Sequence, residues 1–212
     1  MNDSDSAKQR PQRFSMLRTF ALADVLTLAN GFCGAGSILA LMEHIATNTM
    51  GWLWLAIALL PIALFLDFAD GRVARWRHRS SPLGADLDSL ADVISFGMAP
   101  AALGFAVGLR SSLDVAILLY FVACGISRLA RFNVTAATMS DESGKVRYFE
   151  GTPIPTSVLI VGMWGWLAAQ DRIGDSMLFG LWDFGMVALH PLSLIYFLSG
   201  SLMISTLRIP KL

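Results

Sequence analysis

Residues 67–92 read DFADGRVARWRHRSSPLGADLDSLAD, and the apolar sequence on both sides of them is of membrane grade. Four carboxylates, Asp67, Asp70, Asp88 and Asp92, fall within these 26 residues. Ionisable groups at membrane depth are costly and mark functional sites. Carboxylates this crowded repel one another unless cations neutralise them. An all-oxygen ligand set suits a hard ion such as Mg²⁺, Mn²⁺ or Ca²⁺, and suits zinc or copper poorly. The segment reads as a metal-dependent site at the edge of a membrane bundle.

The rest of the chain supplies that bundle. Of 212 residues 55% are apolar, mean hydropathy is +0.58, and only 15% are charged, against about 25% in soluble domains. Apolar runs of about 20 residues, enough to cross a bilayer, recur at 21–42, 51–76, 85–109, 112–133, 152–170 and 180–206. The expectation is an all-α integral membrane protein, a six-helix transmembrane bundle occupying 21–212 as one domain. In the last stretch, 173–186 can alternatively be an interfacial piece ahead of a shorter span. Residues 1–20 read as a cytoplasmic tail followed by a short amphipathic interfacial helix over 11–20, with Arg13, Phe14, Leu17, Arg18 and Phe20. They lack a cleavable signal pattern, so the first span is expected to remain as an anchor. Trp52 and Trp54 suit a membrane interface. Cys33 and Cys124 read as small apolar filler rather than a disulfide or metal pair.

The placement of charge orients the bundle. Of 16 Lys and Arg residues, 14 fall in the tail, the second-to-third connection, the fourth-to-fifth region and the C-terminus, and only Arg110 and Arg172 fall on the other side. Positive charge favours the cytoplasmic face, which puts both termini and the acidic segment in the cytoplasm; the expected location is the inner membrane of a bacterium. The formal net charge is zero, and no nucleic-acid partner is expected.

Helical spacing sets the acids on two stripes. Asp67, Asp70, Gly71, Ala74 and Arg75 share one face of the second span, and Gly84, Asp88, Asp92 and Ser95 share one face of the third. The connection through Ser80, Ser81 and Pro82 lets the two helices pack antiparallel with the stripes facing a common hollow. Gly71, Ala74 and Gly84 leave room there for a bulky ligand. Four carboxylates can hold two divalent cations, and such a pair can clamp a diphosphate. Arg75 adds a fixed positive fork suited to phosphate oxygens. One aspartate can act as general base on an acceptor hydroxyl.

At this point the sequence resembles a known family. Asp67, Asp70, Gly71, Ala74, Arg75, Gly84, Asp88 and Asp92 match, with the same gaps, the signature of the CDP-alcohol phosphatidyltransferases. The resemblance implies transfer of a phosphatidyl group from a CDP-linked lipid to an alcohol, with release of CMP, in a six-span core that forms homodimers. It implies that Asp67, Asp70, Asp88 and Asp92 bind two divalent cations, Mg²⁺ or Mn²⁺, and that Asp92 also deprotonates the acceptor. It places Gly71, Arg75 and Gly84 at the nucleotide diphosphate.

The flanking segments LTLANGFCG (25–33), LDSLADVISFGMAPA (87–101), SRLARFNV (127–134) and YFEGTPIPTS (148–157) are most similar to the membrane-embedded phosphatidylserine synthases within that family. That likeness implies CDP-diacylglycerol as donor and L-serine as acceptor. Arg128 and Arg131 are candidates for the serine carboxylate, with Asn133 and Ser95 as added hydrogen-bond partners. The same arginines would also suit the phosphate of glycerol 3-phosphate or inositol phosphate, or serve only as positive-inside anchors. Thr27 and Asn30 are candidates for the donor site, or for interhelical hydrogen bonds. Glu150, beside Gly151, Pro153 and Pro155, either closes over the site or stands in a solvated turn. His44, His78 and His190 share no ligand spacing. The rival of a different class is a transporter whose aspartates coordinate its cation, but no internal repeat supports it.

Overall fold

Leu22–Thr47 and Met50–Arg77 form helices α1 and α2, an antiparallel pair joined by a two-residue turn. Asn48 sits there in the left-handed region (φ 52°), which asparagine tolerates better than most residues. Its N–H donates to the His44 carbonyl at 2.8 Å. Between helices in lipid, close contact and hydrogen bonds decide pairing, because the tails are as apolar as leucine. Small residues meet that need here: Gly36 lies against Leu59, and the Ser37 hydroxyl donates to the Ala56 carbonyl at 3.0 Å. The computed structural model describes residues 22–77, 82–139, 148–185, 187–205 and 208–210. The interfacial helix expected over 11–20 and the connection through Ser80 and Ser81 lie outside the described residues.

The third expected span is not one uniform helix. It runs as α3 (Pro82–Asp92), a π segment (Val93–Met98) and α4 (Ala99–Ala106). The Ala99 N–H reaches back five residues, to the Ile94 carbonyl. Pro100 has no N–H to offer the Phe96 carbonyl, and Gly97 has no side chain to crowd a wider turn, so the ladder widens just before the proline.

Helix α5 (Ser112–Met139) opens with a capping box. The Ser111 N–H donates to Asp114 Oδ2 at 3.1 Å, and the Asp114 N–H lies 3.5 Å from Ser111 Oγ. Asp114 is fully buried and also accepts from the His190 N–H at 2.9 Å, with His190 Nδ1 at 2.6 Å. His190, which sequence spacing left without a role, therefore ties the start of the last helix to the start of α5. Asp114→Asn is expected to lower stability by about 2–3 kcal/mol, the scale of a hydrogen bond to a charged group. Thermal unfolding in detergent measures this. A cavity of about 630 Å³ opens at this end of the bundle, lined in part by His44, Arg110, Asp175 and His190.

A 3₁₀ turn at Ile154–Ser157 leads into α6 (Val158–Ala168), and another at Pro191–Ser193 leads into α7 (Leu194–Ile204). Of the two expectations for the last stretch, a span from residue 180 or a separate piece over 173–186 ahead of a shorter span, the structure has the shorter helix. Between α6 and Pro191 lie a 3₁₀ turn at Gly174–Ser176 and a hairpin of β2 (Trp182–Asp183) with β3 (Ala188–Leu189). Gly174, Gly180 and Gly185 all have positive φ here, so the chain turns instead of continuing a helix. A second strand pair joins β1 (Tyr148–Glu150) to β4 (Arg208–Pro210), numbering the strands in chain order. The described residues are thus mainly helical, with two short strand pairs that an all-α reading omits.

Among the described residues, four helices are long and apolar enough to cross a membrane: Ala23–Thr47, Met50–Val73, Gly84–Ala106 and Ser112–Val134. Two shorter apolar helices, Ile154–Ala168 and Pro191–Ile204, pack with them. Phe32, Phe65, Leu119 and Leu159 stay exposed, as lipid-facing side chains do. Deep in the bundle the Trp164 indole donates to the Tyr196 hydroxyl at 3.0 Å, which donates to the Pro100 carbonyl at 2.7 Å. Phe121 meets the Tyr196 ring edge-on. One polar chain therefore satisfies three helices inside an apolar core. Cys33 and Cys124 are free thiols.

Candidate active site

The last turns of α2 carry Asp67 and Asp70, and α3 carries Asp88 and Asp92. Both helices pack against α1, and Asp67, Asp70 and Asp88 come together beside it. One carboxylate oxygen from each lies within 4.8 Å of the others. Asp70 is buried and the other two are half-buried. Asp92 sits one turn past Asp88, outside that trio but within electrostatic reach of all three.

Helix α1 closes the site from the side. The Thr27 hydroxyl donates to Asp70 Oδ2 at 2.7 Å, and the Asn30 amide donates to Asp92 Oδ1 at 3.3 Å. Ser95 donates to the Asn30 carbonyl at 2.9 Å, and Gly34 leaves the space that Ser95 fills.

This donor set fits a divalent cation. Three carboxylates converge, no ion pair with a described basic side chain neutralises them, and Asp88 Oδ1 is buried without a hydrogen-bond partner. Such a group is repulsive alone and favourable around a hard cation.

The family model for CDP-alcohol phosphatidyltransferases matches residues 20–205. The chain belongs to that family. Among curated relatives, this phosphatidyltransferase is 44% identical to the CDP-diacylglycerol–serine O-phosphatidyltransferase of Saccharomyces cerevisiae, over 93% of this chain and 73% of the relative. It is 35% identical to the Bacillus subtilis enzyme of the same name, over 62% of this chain and 67% of the relative. The Mycobacterium leprae enzyme of that name is 34% identical over 82% of this chain, which spans 55% of that relative.

The remaining expected site residues of the phosphatidyltransferase divide into two groups. Arg128 on α5 lies within electrostatic reach of Asp92, and its Nε is buried without a hydrogen-bond partner. Arg131, one turn later, is exposed. Two further candidates for serine contact have their polar groups engaged within the protein. Ser95 is fully buried with its hydroxyl spent on α1, so it clasps helices and does not face a hollow. The Asn133 amide pairs with the Ser89 hydroxyl at 3.0 and 3.2 Å, a clasp between α5 and α3. Thr27 and Asn30, candidates for the donor site or for interhelical hydrogen bonds, make such bonds here, to Asp70 and Asp92.

Gly71 and Gly84 lie on α2 and α3 beside the acids, and Arg75 follows one turn after Gly71. The Arg75 side chain lies outside what the structure describes, as does that of Glu150. The Glu150 backbone pairs in β1 opposite Arg208. Gly151 comes next with φ 75°, where any side chain would run into the Met203 carbonyl oxygen. The 148–151 segment is therefore pinned to the end of α7. Sequence spacing could not have found the Thr27–Asp70 bond, because its partners are 43 residues apart.

Proposed function

We propose that this chain is a phosphatidylserine synthase, transferring the phosphatidyl group of CDP-diacylglycerol to L-serine with release of CMP. The observation that carries this is the 44% identity over 93% of the chain to an enzyme of that activity, joined to the converging carboxylates.

In this reading Asp67, Asp70, Asp88 and Asp92 hold two divalent cations, Mg²⁺ or Mn²⁺. When bound, these ions offset the charge of the diphosphate and of departing CMP. Gly71 and Gly84 let the nucleotide approach the helix backbones, and Arg75 supplies a fork for phosphate oxygens. Asp92 takes the proton from the serine hydroxyl. The serine oxygen then forms a bond to the lipid-linked phosphorus as the bond to the CMP oxygen breaks. Arg128, within electrostatic reach of Asp92, holds the serine carboxylate and so presents the hydroxyl to the base. Arg131 adds positive charge at the entrance. The six apolar helices span the membrane with both termini and the acids on the cytoplasmic side. A homodimer is the assembly this reading adopts, on family likeness alone.

The test is CMP release by purified protein given CDP-diacylglycerol in mixed micelles and a panel of acceptors. L-serine is expected to drive release, and glycerol 3-phosphate and inositol phosphate to fail. A chelator is expected to reduce the rate to background, with Mg²⁺ or Mn²⁺ restoring it. Release with another acceptor but not serine would overturn the acceptor assignment, and silence with every acceptor would overturn the transferase.

A further inference from the structure

We propose that Thr27 is a positioning residue for the metal-binding carboxylates, holding Asp70 in the orientation that a divalent cation needs. This rests on the divalent site proposed above. Thr27 stands on α1, is 4% exposed, and has no place in the family's aspartate signature. Its hydroxyl carries one proton and has two acceptors in range, Asp70 Oδ2 at 2.7 Å and the Ala23 carbonyl at 3.1 Å. The shorter contact is to a carboxylate, the stronger acceptor, and takes the proton.

The bond has a geometric consequence. Asp70 is the most deeply buried of the three converging acids, and a carboxylate on a two-torsion side chain can otherwise rotate away from its like-charged neighbours. The hydroxyl fixes one oxygen against α1 and so limits that rotation. Asn30, one turn later on the same face, makes the matching contact to Asp92. Helix α1 thus contributes a row of donors behind the acids, with no donor proton left over at Thr27 for a lipid or nucleotide. Removing the groups that orient metal ligands typically weakens metal binding by about 10–100-fold.

Mn²⁺ binding to the purified full chain in detergent, followed by electron paramagnetic resonance, tests this without turnover. Thr27→Val, which keeps the branched shape, is expected to weaken Mn²⁺ binding by about 10–100-fold, and Thr27→Ser to bind like wild type. CMP affinity at saturating Mn²⁺ is expected to stay within about twofold of wild type. Thr27→Ala reads the same bond if Thr27→Val folds poorly, as judged by thermal unfolding in chelator. Wild-type Mn²⁺ affinity in Thr27→Val or Thr27→Ala would overturn the assignment, as would equal loss in Thr27→Ser. A defect confined to CMP would also overturn it, marking Thr27 as a nucleotide contact. A wild-type protein that bound no Mn²⁺ would overturn the metal site itself, a separate and earlier failure.

Discussion

Asp92→Asn is expected to cut serine-dependent CMP release by about 10²–10⁴-fold, the usual contribution of a general base, while CDP-diacylglycerol binding survives. The amide keeps the shape of the carboxyl group and can still face Asn30, but it has no basic oxygen for the serine proton. Donor binding should persist because Asp67, Asp70 and Asp88 converge without help from Asp92. Asp88→Asn provides the contrast. It removes one of the three converging groups, so cation affinity and turnover should fall together. Parallel measurement of CMP release and of CDP-diacylglycerol retention on the purified variants separates the two. Turnover near wild type in Asp92→Asn would remove it as the base.

Gly34→Ala should cost both stability and activity, although Gly34 touches no carboxylate. A methyl group there would lie 2.6 Å from the Ser95 Cα and 2.9 Å from its backbone nitrogen. Neither atom can rotate aside, so α1 and the π segment must separate. Overpacking of this kind costs about 1–3 kcal/mol, or several degrees in Tm for a chain of this size at about 2–4 °C per kcal/mol. The same displacement strains the 2.9 Å bond from Ser95 to the Asn30 carbonyl, and Asn30 is what touches Asp92. A misplacement of about 1 Å at reacting groups can cost about 10²-fold in rate, so a loss of at least about tenfold is expected. Gly36 and Gly162 are the internal controls. A methyl at Gly36 meets only the flexible end of Leu59 at 3.4 Å, and one at Gly162 meets nothing within 4 Å. If Gly34→Ala matched Gly162→Ala in melting temperature and turnover, the close helix approach would have no functional weight.

The membrane character and the acids were legible because they depend on local spacing. Long apolar runs disclose spans through composition, and Asp67, Asp70, Asp88 and Asp92 disclose stripes through helical periodicity. The π segment escaped, since Pro100 and Gly97 alone are equally compatible with ordinary helix packing. The hairpin before α7 escaped for a related reason. Residues such as Leu181, Trp182 and Phe184 are apolar enough to pass as span, while the glycines that turn the chain carry no weight in a hydropathy average. His190 showed nothing because its partner, Asp114, is 76 residues away. Ser95 and Asn133 were legible as polar residues near the site, but what each hydroxyl or amide faces is a question of side-chain direction.

By itself, the sequence determined that the chain is built from apolar helices and that its aspartates form a motif of fixed spacing. Both are properties of near neighbours, where 1.5 Å of rise and 100° of turn per residue carry the geometry. Only the tertiary structure decided which three carboxylates meet, that Asp92 stands beside them on an asparagine of α1, and that the Arg128 Nε is buried without a hydrogen-bond partner. Those contacts join residues from separate helices, and their geometry depends on how closely the backbones approach at positions such as Gly34 and on where each polar group finds a partner away from water.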